Sequence, residues 1–135
     1  MTTDNSNRYA LVKLRAEVET LPWSADEDPL GRTCNGWEDG MSLEDIYRSS
    51  RGIWAFDPDK AEECSHVLFA AGGRIRLVIE LTGTESGLRR PDSGARMRAF
   101  VGDIVTSGPV YDQWFEQPAP VTSTNPRLLI TYFNA

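Results

Sequence analysis

The residue types able to do chemistry gather in a few stretches of this chain. The stretch "SSRGIWAF", residues 49–56, sets Ser49, Ser50, Arg51 and Trp54 close together. Trp54 carries a π face suited to stacking, and Gly52 beside it allows close approach of a ligand or of another backbone. The same indole would serve equally as a core side chain with its N–H satisfied. Arginine is rarely buried without a partner, so Arg51 either pairs with an acid such as Glu44 or Asp57, or faces an anion or a base edge. Ser49 and Ser50 can cap, turn, or donate to that same anion. A second stretch, "RRPDSGARMR", carries Arg89, Arg90, Arg96 and Arg98 against the single acid Asp92. A basic patch of this kind meets phosphates, or else it is a solvated loop. Asn125, just before Pro126, has one amide with both a donor and an acceptor, which suits a base edge. Asn-Pro also favours a plain turn. Arg76 projects from a strand-like run, either toward a ligand or into solvent. Trp23, Trp37 and Trp114 stand in loop or helix contexts, as partner hot spots if exposed and as core if buried.

Catalytic signatures are scarce. The chain has one histidine, His66, and no glycine-rich phosphate loop of the Walker or dinucleotide type. Cys34 and Cys64 stand in no motif that lowers a thiol pKa, and two cysteines in a cytosolic chain read as free thiols. With His66 they make three soft ligands and no tight pair, so a strand histidine and buried thiols are expected rather than a metal site. Asp57 with Asp59 and Glu62 with Glu63 read as helix-start charges, not an acid–base pair. No cofactor is implied, and binding is expected rather than catalysis.

The formal charge of −6 argues against non-specific clamping of a nucleic-acid backbone. The excess is uneven. Residues 1–50 hold ten acids against five bases, and residues 51–135 hold ten against nine. No apolar run approaches a membrane span, and the polar start "MTTDNSNRY" has no signal-peptide core, so a cytoplasmic location and no membrane partner are expected.

These residues need elements to position them. "YALVKLRAEV" has Val12, Leu14, Ala16 and Val18 in phase, which predicts a strand over 9–18 with one buried face. Residues 19–41 read as an irregular acidic connection. In "SLEDIYRSS", Ser42 with Glu44 and Asp45 predicts an N-capped helix ending near Ser49 and Ser50. "GIWAF" follows as a short extended segment. Asp57 and Pro58 predict a second helix start. "HVLFAA", Gly72–Gly73 and "RIRLVIEL" predict an antiparallel hairpin, with Ile75, Leu77, Ile79 and Leu81 on one face and Arg76 beside Val78 on the other. "TGTESGLRRPDSG" reads as a loop, with Arg89, Arg90, Arg96 and Arg98 largely exposed and residues 83–95 mobile without a ligand. "ARMRAFVGDIV" is a strand broken at Gly102. "PVYDQWFEQP" is one or two helical turns, and "LLITYF" is a closing strand with Leu128, Ile130 and Tyr132 in phase. The sum is one α+β domain over residues 1–135. It is a small bent sheet or pseudo-barrel of about five or six strands with two or three short helices.

The run "YRSSRGIWAFDPDKAEECSHVLFAAGGRIRLVIEL" resembles bacterial domains of the PUA-like superfamily, relatives of ASCH, EVE and YTH domains. There a short helix, a Ser/Thr-Arg-Gly-x-Trp stretch, a second short helix and a hairpin follow in this order. "RMRAFVGDIV" looks like that family's strand before a short helix, and "TNPRLLITYFNA" resembles its closing element. The likeness spans roughly residues 42–135. It implies a PUA-like pseudo-barrel and a binding role toward a nucleotide, or toward a modified base in nucleic acid. Ser49, Arg51, Trp54, Arg76 and Asn125 would then stand near an aromatic- and arginine-lined pocket, with Arg89, Arg90, Arg96 and Arg98 on phosphates. A flipped base offers two π faces and a hydrogen-bonding edge to such a pocket. Some ASCH-type relatives are hydrolases, which leaves a small nucleotide or nucleic-acid hydrolase as a lesser alternative. A different class is also open: a protein-interaction or antagonist module working through the acidic N-terminal half.

Overall fold

The computed structural model describes residues 7–121, 125 and 127–135. Residues 1–6, part of the segment before Asn125, and Pro126 of the Asn-Pro pair lie outside them. The elements run β1 (Arg8–Lys13), β2 (Glu19–Thr20), β3 (Cys34–Asn35), α1 (Leu43–Ser50), α2 (Pro58–Glu62), β4 (His66–Ala71), β5 (Arg74–Arg89), β6 (Arg96–Ile104), α3 (Pro109–Trp114) and β7 (Ile130–Asn134). The fold is α+β. One mixed five-stranded sheet has the order β6-β5-β4-β1-β7, and β2 with β3 forms a small second sheet. The large sheet is open, with β6 and β7 at its edges, and does not close into a barrel.

The two helix starts form as their caps dictate. Ser42 accepts from the Asp45 N–H at 3.2 Å, and Asp57 accepts from the Asp59 N–H at 2.9 Å ahead of Pro58. Each satisfies a backbone donor that the first turn leaves free. The Gly72–Gly73 hairpin also forms, with φ of 61° and 79°, joining antiparallel β4 and β5. Positive φ at both central residues matches the twist of the flanking strands, which is why two glycines stand there.

β1 is shorter than its alternation suggests and is buried on both faces, with Tyr9, Ala10, Leu11 and Val12 all inaccessible. It runs parallel to β4 and antiparallel to β7 at the centre of the sheet. A parallel pair needs a long crossover, and residues 14–65 supply it with α1 and α2. Ala10 and Val12 join Ile46, Ala61, Phe69, Leu77 and Phe100 on one face of the sheet. Tyr9 and Leu11 join Leu68, Ile75 and Val78 on the other, under Trp114 and Phe115. Cover on both faces makes the strand read as a continuous apolar run, so the one-sided pattern over 9–18 does not hold.

The hairpin's second strand also breaks phase. Phe69 faces Leu77 while Ala70 faces Ile75, which leaves Arg76 as the bulged residue. A bulge places one extra residue on one strand and shifts the following side chains to the opposite face. Ile75 therefore packs with Val78, not with Leu77 and Ile79. β5 then continues through "TGTESGLR" to Arg89, bulged near Leu81 and again between Glu85 and Leu88, with β6 as its partner. Pairing overrides the poor strand propensity of these glycines and serine, so residues 82–89 are strand and not loop. β6 likewise runs unbroken through Gly102, where a Cβ would stand 2.3 Å from the Glu80 carbonyl oxygen. The far ends of β5 and β6 curl over a third cluster, Ile53, Leu88 and Ala99 with Trp23, Leu30 and Met97. β7 begins at Ile130, leaving Leu128 and Leu129 exposed.

Candidate functional site

One recess is a cleft of about 960 Å³. Its walls come from the end of β1, the loop before β3, the α1 C-terminus, the "GIWA" segment and the approach to β7. The loop wall is lined by Leu21, Pro22, Trp23 and Arg32, and the loop turns at residues 28–31, Asp-Pro-Leu-Gly, where the Gly31 N–H donates to the Asp28 carbonyl at 3.0 Å. Asp first, Pro second and Gly fourth is the preference of a type I turn. The Asp28 carboxylate is buried and receives the Trp23 indole N–H at 2.8 Å, the Leu30 and Arg32 N–H groups at 3.0 and 2.9 Å, and the Arg32 guanidinium at 3.0 Å. Burial pushes the Asp28 carboxyl up, but the Arg32 and Trp23 hydrogen bonds and the Arg32 charge outweigh it and bring it down to about 2. Arg32 in turn donates to the carbonyls of Ser49 and Gly52. One buried ion pair thus holds Trp23 and ties the irregular loop to the end of α1.

Trp54 also lines the cleft. Its N–H is used up by the Ser50 carbonyl at 2.7 Å, and its backbone bridges to Arg98 at 2.9 and 2.8 Å. Part of the ring packs on the core beneath α1, and part lines the cleft. Trp54 also lines a smaller hollow of about 340 Å³ with Ala55, Phe56, Asp57, Arg96 and Arg98. Trp54 and Ala55 line both cavities.

The cleft's charged groups are mostly cationic: Lys13, Arg15, Arg90 and Arg127 stand against one lining acid, Glu19, besides the internally paired Arg32. Arg15 bonds to Glu19 at 3.2 Å, and Arg90 bonds to Asp92 at 2.8 Å while lying over the Trp23 ring at 5.5 Å. Lys13 and Arg127 take part in no ion pair among the described residues. Asn35 adds a buried Oδ1 in the same wall with no hydrogen-bond partner among the described residues.

The residues singled out from the sequence are divided by the fold. Ser49 and Ser50 are buried at the α1 end and line the cleft, with Ser49 Oγ donating to the Asp45 carbonyl at 2.9 Å. Arg51 points elsewhere: both terminal nitrogens reach Glu85 Oε1 at 3.2 Å, and one donates to the Phe100 carbonyl. Its acid is Glu85, not Glu44 or Asp57. Arg76 is clamped over the Trp37 ring at 4.1 Å and bonds to Glu116 at 2.8 Å, outside the cleft. Asn125 accepts from the Arg127 N–H at 3.0 Å through its side chain, an Asx-type turn that leads the chain into the cleft. The four arginines of the basic stretch are not one exposed loop. Arg89 and Arg96 are exposed on strands, Arg90 and Arg98 are half-buried, and only residues 90–95 are turn or coil.

Asp28, Arg32 and Asn35 were not apparent as site residues from the sequence. The Asp-Pro-Leu-Gly turn was the available signal for the first two. Cys64 is buried, which pushes its thiol up to about 11, and Cys34 is a free, partly exposed thiol. Among the described residues no group of His, Cys, Asp or Glu is placed to hold a metal ion, and no helix is long and apolar enough to cross a membrane.

No family model, no curated protein and no solved structure matches this chain.

Proposed function

We propose that the protein is a binding module whose cleft takes a nucleotide, or a modified base within nucleic acid. The observation that carries this reading is the set of Lys13, Arg15, Arg90 and Arg127 around one opening, with Trp23 and Trp54 on its walls, in a chain of net charge −6. Charge that an acidic chain would otherwise neutralise is gathered where two indoles stand. Anionic phosphate suits the cations, a π face suits the indoles, and the unpartnered Asn35 oxygen suits a base-edge donor. The PUA-like likeness belongs to the same proposal. It is supported by the order α1, extended "RGIWAF", α2 and hairpin, and by the pairing of the first strand with the last. The open sheet is where this chain departs from a closed pseudo-barrel.

The reading of the acidic N-terminal half as a partner surface has less support. Glu17, Glu19, Asp28 and Glu44 are engaged by the chain's own arginines. Calorimetric titration with the common nucleoside 5′-monophosphates tests the proposal, on the wild type and on Lys13→Gln/Arg127→Gln. Saturable binding that weakens at least tenfold in the double variant is expected. Absence of any heat from the whole set in the wild type, together with none from mixed-sequence oligonucleotides, would overturn it.

A further inference from the structure

The cationic character does not stop at the cleft. Seven of the chain's lysines and arginines make no ion pair among the described residues: Lys13, Lys60, Arg74, Arg89, Arg96, Arg98 and Arg127. Arg74 and Arg89 donate to backbone carbonyls instead, and Lys60 is an exposed helix residue. The other four all line one of the two cavities that share Trp54: Lys13 and Arg127 the cleft, Arg96 and Arg98 the hollow.

A second, independent feature marks the hollow's side. Arg89 and Arg96 are direct cross-strand partners on β5 and β6. Direct partners share a face, and like charges there are destabilising. Arg98, two residues along β6, has the same phase, while Met97 between them turns to the apolar cluster with Leu88. Three arginines therefore share one face of β5 and β6, two of them lining the hollow, with Asp57 the one acid lining it. An incoming polyanion would relieve that repulsion.

We propose that the hollow is a second phosphate subsite, and that the ligand is a single strand of nucleic acid crossing Trp54 rather than a lone nucleotide. The inference rests on the cleft reading above. One base enters the cleft beside Trp54, and the backbone passes over Trp54 toward the hollow. The neighbouring phosphates lie at Arg96 and Arg98. The indole N–H is already committed to Ser50, so Trp54 offers the strand a ring and not a donor. That arrangement stacks without selecting a sequence.

The test compares nucleoside 5′-monophosphates with mixed-sequence DNA and RNA octanucleotides, by fluorescence anisotropy and calorimetry across a salt series. The octanucleotides are expected to bind at least tenfold tighter than any monophosphate, and the DNA and RNA arms report which backbone is preferred. In Arg96→Gln/Arg98→Gln the slope of log K against log salt for the octamer should flatten by about 1.4, since each single-strand phosphate contact contributes about 0.7. The charge-keeping Arg96→Lys/Arg98→Lys variant should retain the wild-type slope, which separates lost charge from lost fold. If monophosphates bind and octamers bind no tighter, or if the slope is unchanged in the glutamine variant, the strand inference falls and the cleft reading stands. If neither ligand binds, both fall.

Discussion

Arg32 and Gly52 lie twenty residues apart in the chain, and the Arg32 guanidinium donates to the Gly52 carbonyl oxygen. Through that contact, and through Asp28 behind it, a loop of low regularity acquires a fixed position against the end of α1. The Arg32 and Asp28 side chains are almost wholly inaccessible, at 6 % and 0 % exposure, so neither charge has water to fall back on.

Removing one partner should therefore be costly. Asp28→Asn leaves Arg32 charged and buried, and a broken buried pair typically costs about 3–5 kcal/mol. Urea denaturation should show that loss, and a double variant, Asp28→Leu with Arg32→Met, should lose less than the single change. A double variant no more stable than Asp28→Asn would mean that the loop is held by something other than this pair.

Gly52 sits where a side chain has no room. A Cβ there would stand 2.8 Å from Ala99 Cβ and 2.8 Å from Leu30 Cδ1. Overpacking of this kind costs about 1–3 kcal/mol. Gly52→Ala should lower the thermal midpoint, and adding Leu30→Ala should restore part of the loss. No recovery in that pair would place the obstruction at Ala99 alone.

Acid should weaken the fold in a definable window. Burial holds the His66 imidazole below its ordinary 6.5, with Glu80 opposing the shift. A base whose folded pKa is depressed binds its proton more readily when unfolded, so its contribution is full above pH 6.5 and declines as pH falls below that value. His66 is the chain's single histidine. Chemical denaturation between pH 7.5 and 5 should show stability falling with pH, and His66→Gln should flatten that limb. Asp28 acts in a lower window, where its stabilisation is lost as pH falls from 3.8 toward 2. An unchanged limb in His66→Gln would assign the upper window to other groups.

The local signals in the sequence were read where local physics decides. Ser42, Asp57 with Pro58, and Gly72–Gly73 each fix backbone groups within four residues of themselves, and each formed as expected. What escaped depended on distant partners. Nothing near Glu85 shows that Arg51 will reach it from thirty-four residues away. Nothing in "TGTESGLR" shows that β6 will pair with it. The bulge at Arg76 moved Ile75 to the opposite face, a shift that alternation alone does not contain. Asn35 looks ordinary in the sequence because its significance lies in having no hydrogen-bond partner among the described residues, inside a cleft that exists only in the folded chain.

Arg51 and Trp54, three residues apart, should separate cleanly in experiment. Arg51 binds Glu85 and the Phe100 carbonyl outside the cleft, whereas the Trp54 ring lines both cavities. Arg51→Met should leave nucleotide binding within about twofold of wild type, with a stability loss of about 1 kcal/mol or less, because its ion pair is partly exposed. Trp54→Leu keeps an apolar side chain against the core but removes the stacking face. Loss of a base–aromatic stack costs about 1–3 kcal/mol, or roughly five- to a hundred-and-fifty-fold in affinity. Circular dichroism should show both variants folded, and tryptophan quenching by added nucleotide should shrink in Trp54→Leu alone. Normal affinity in a folded Trp54→Leu variant would remove the indole from the site and leave Trp23, the other indole lining the cleft, as the stacking ring.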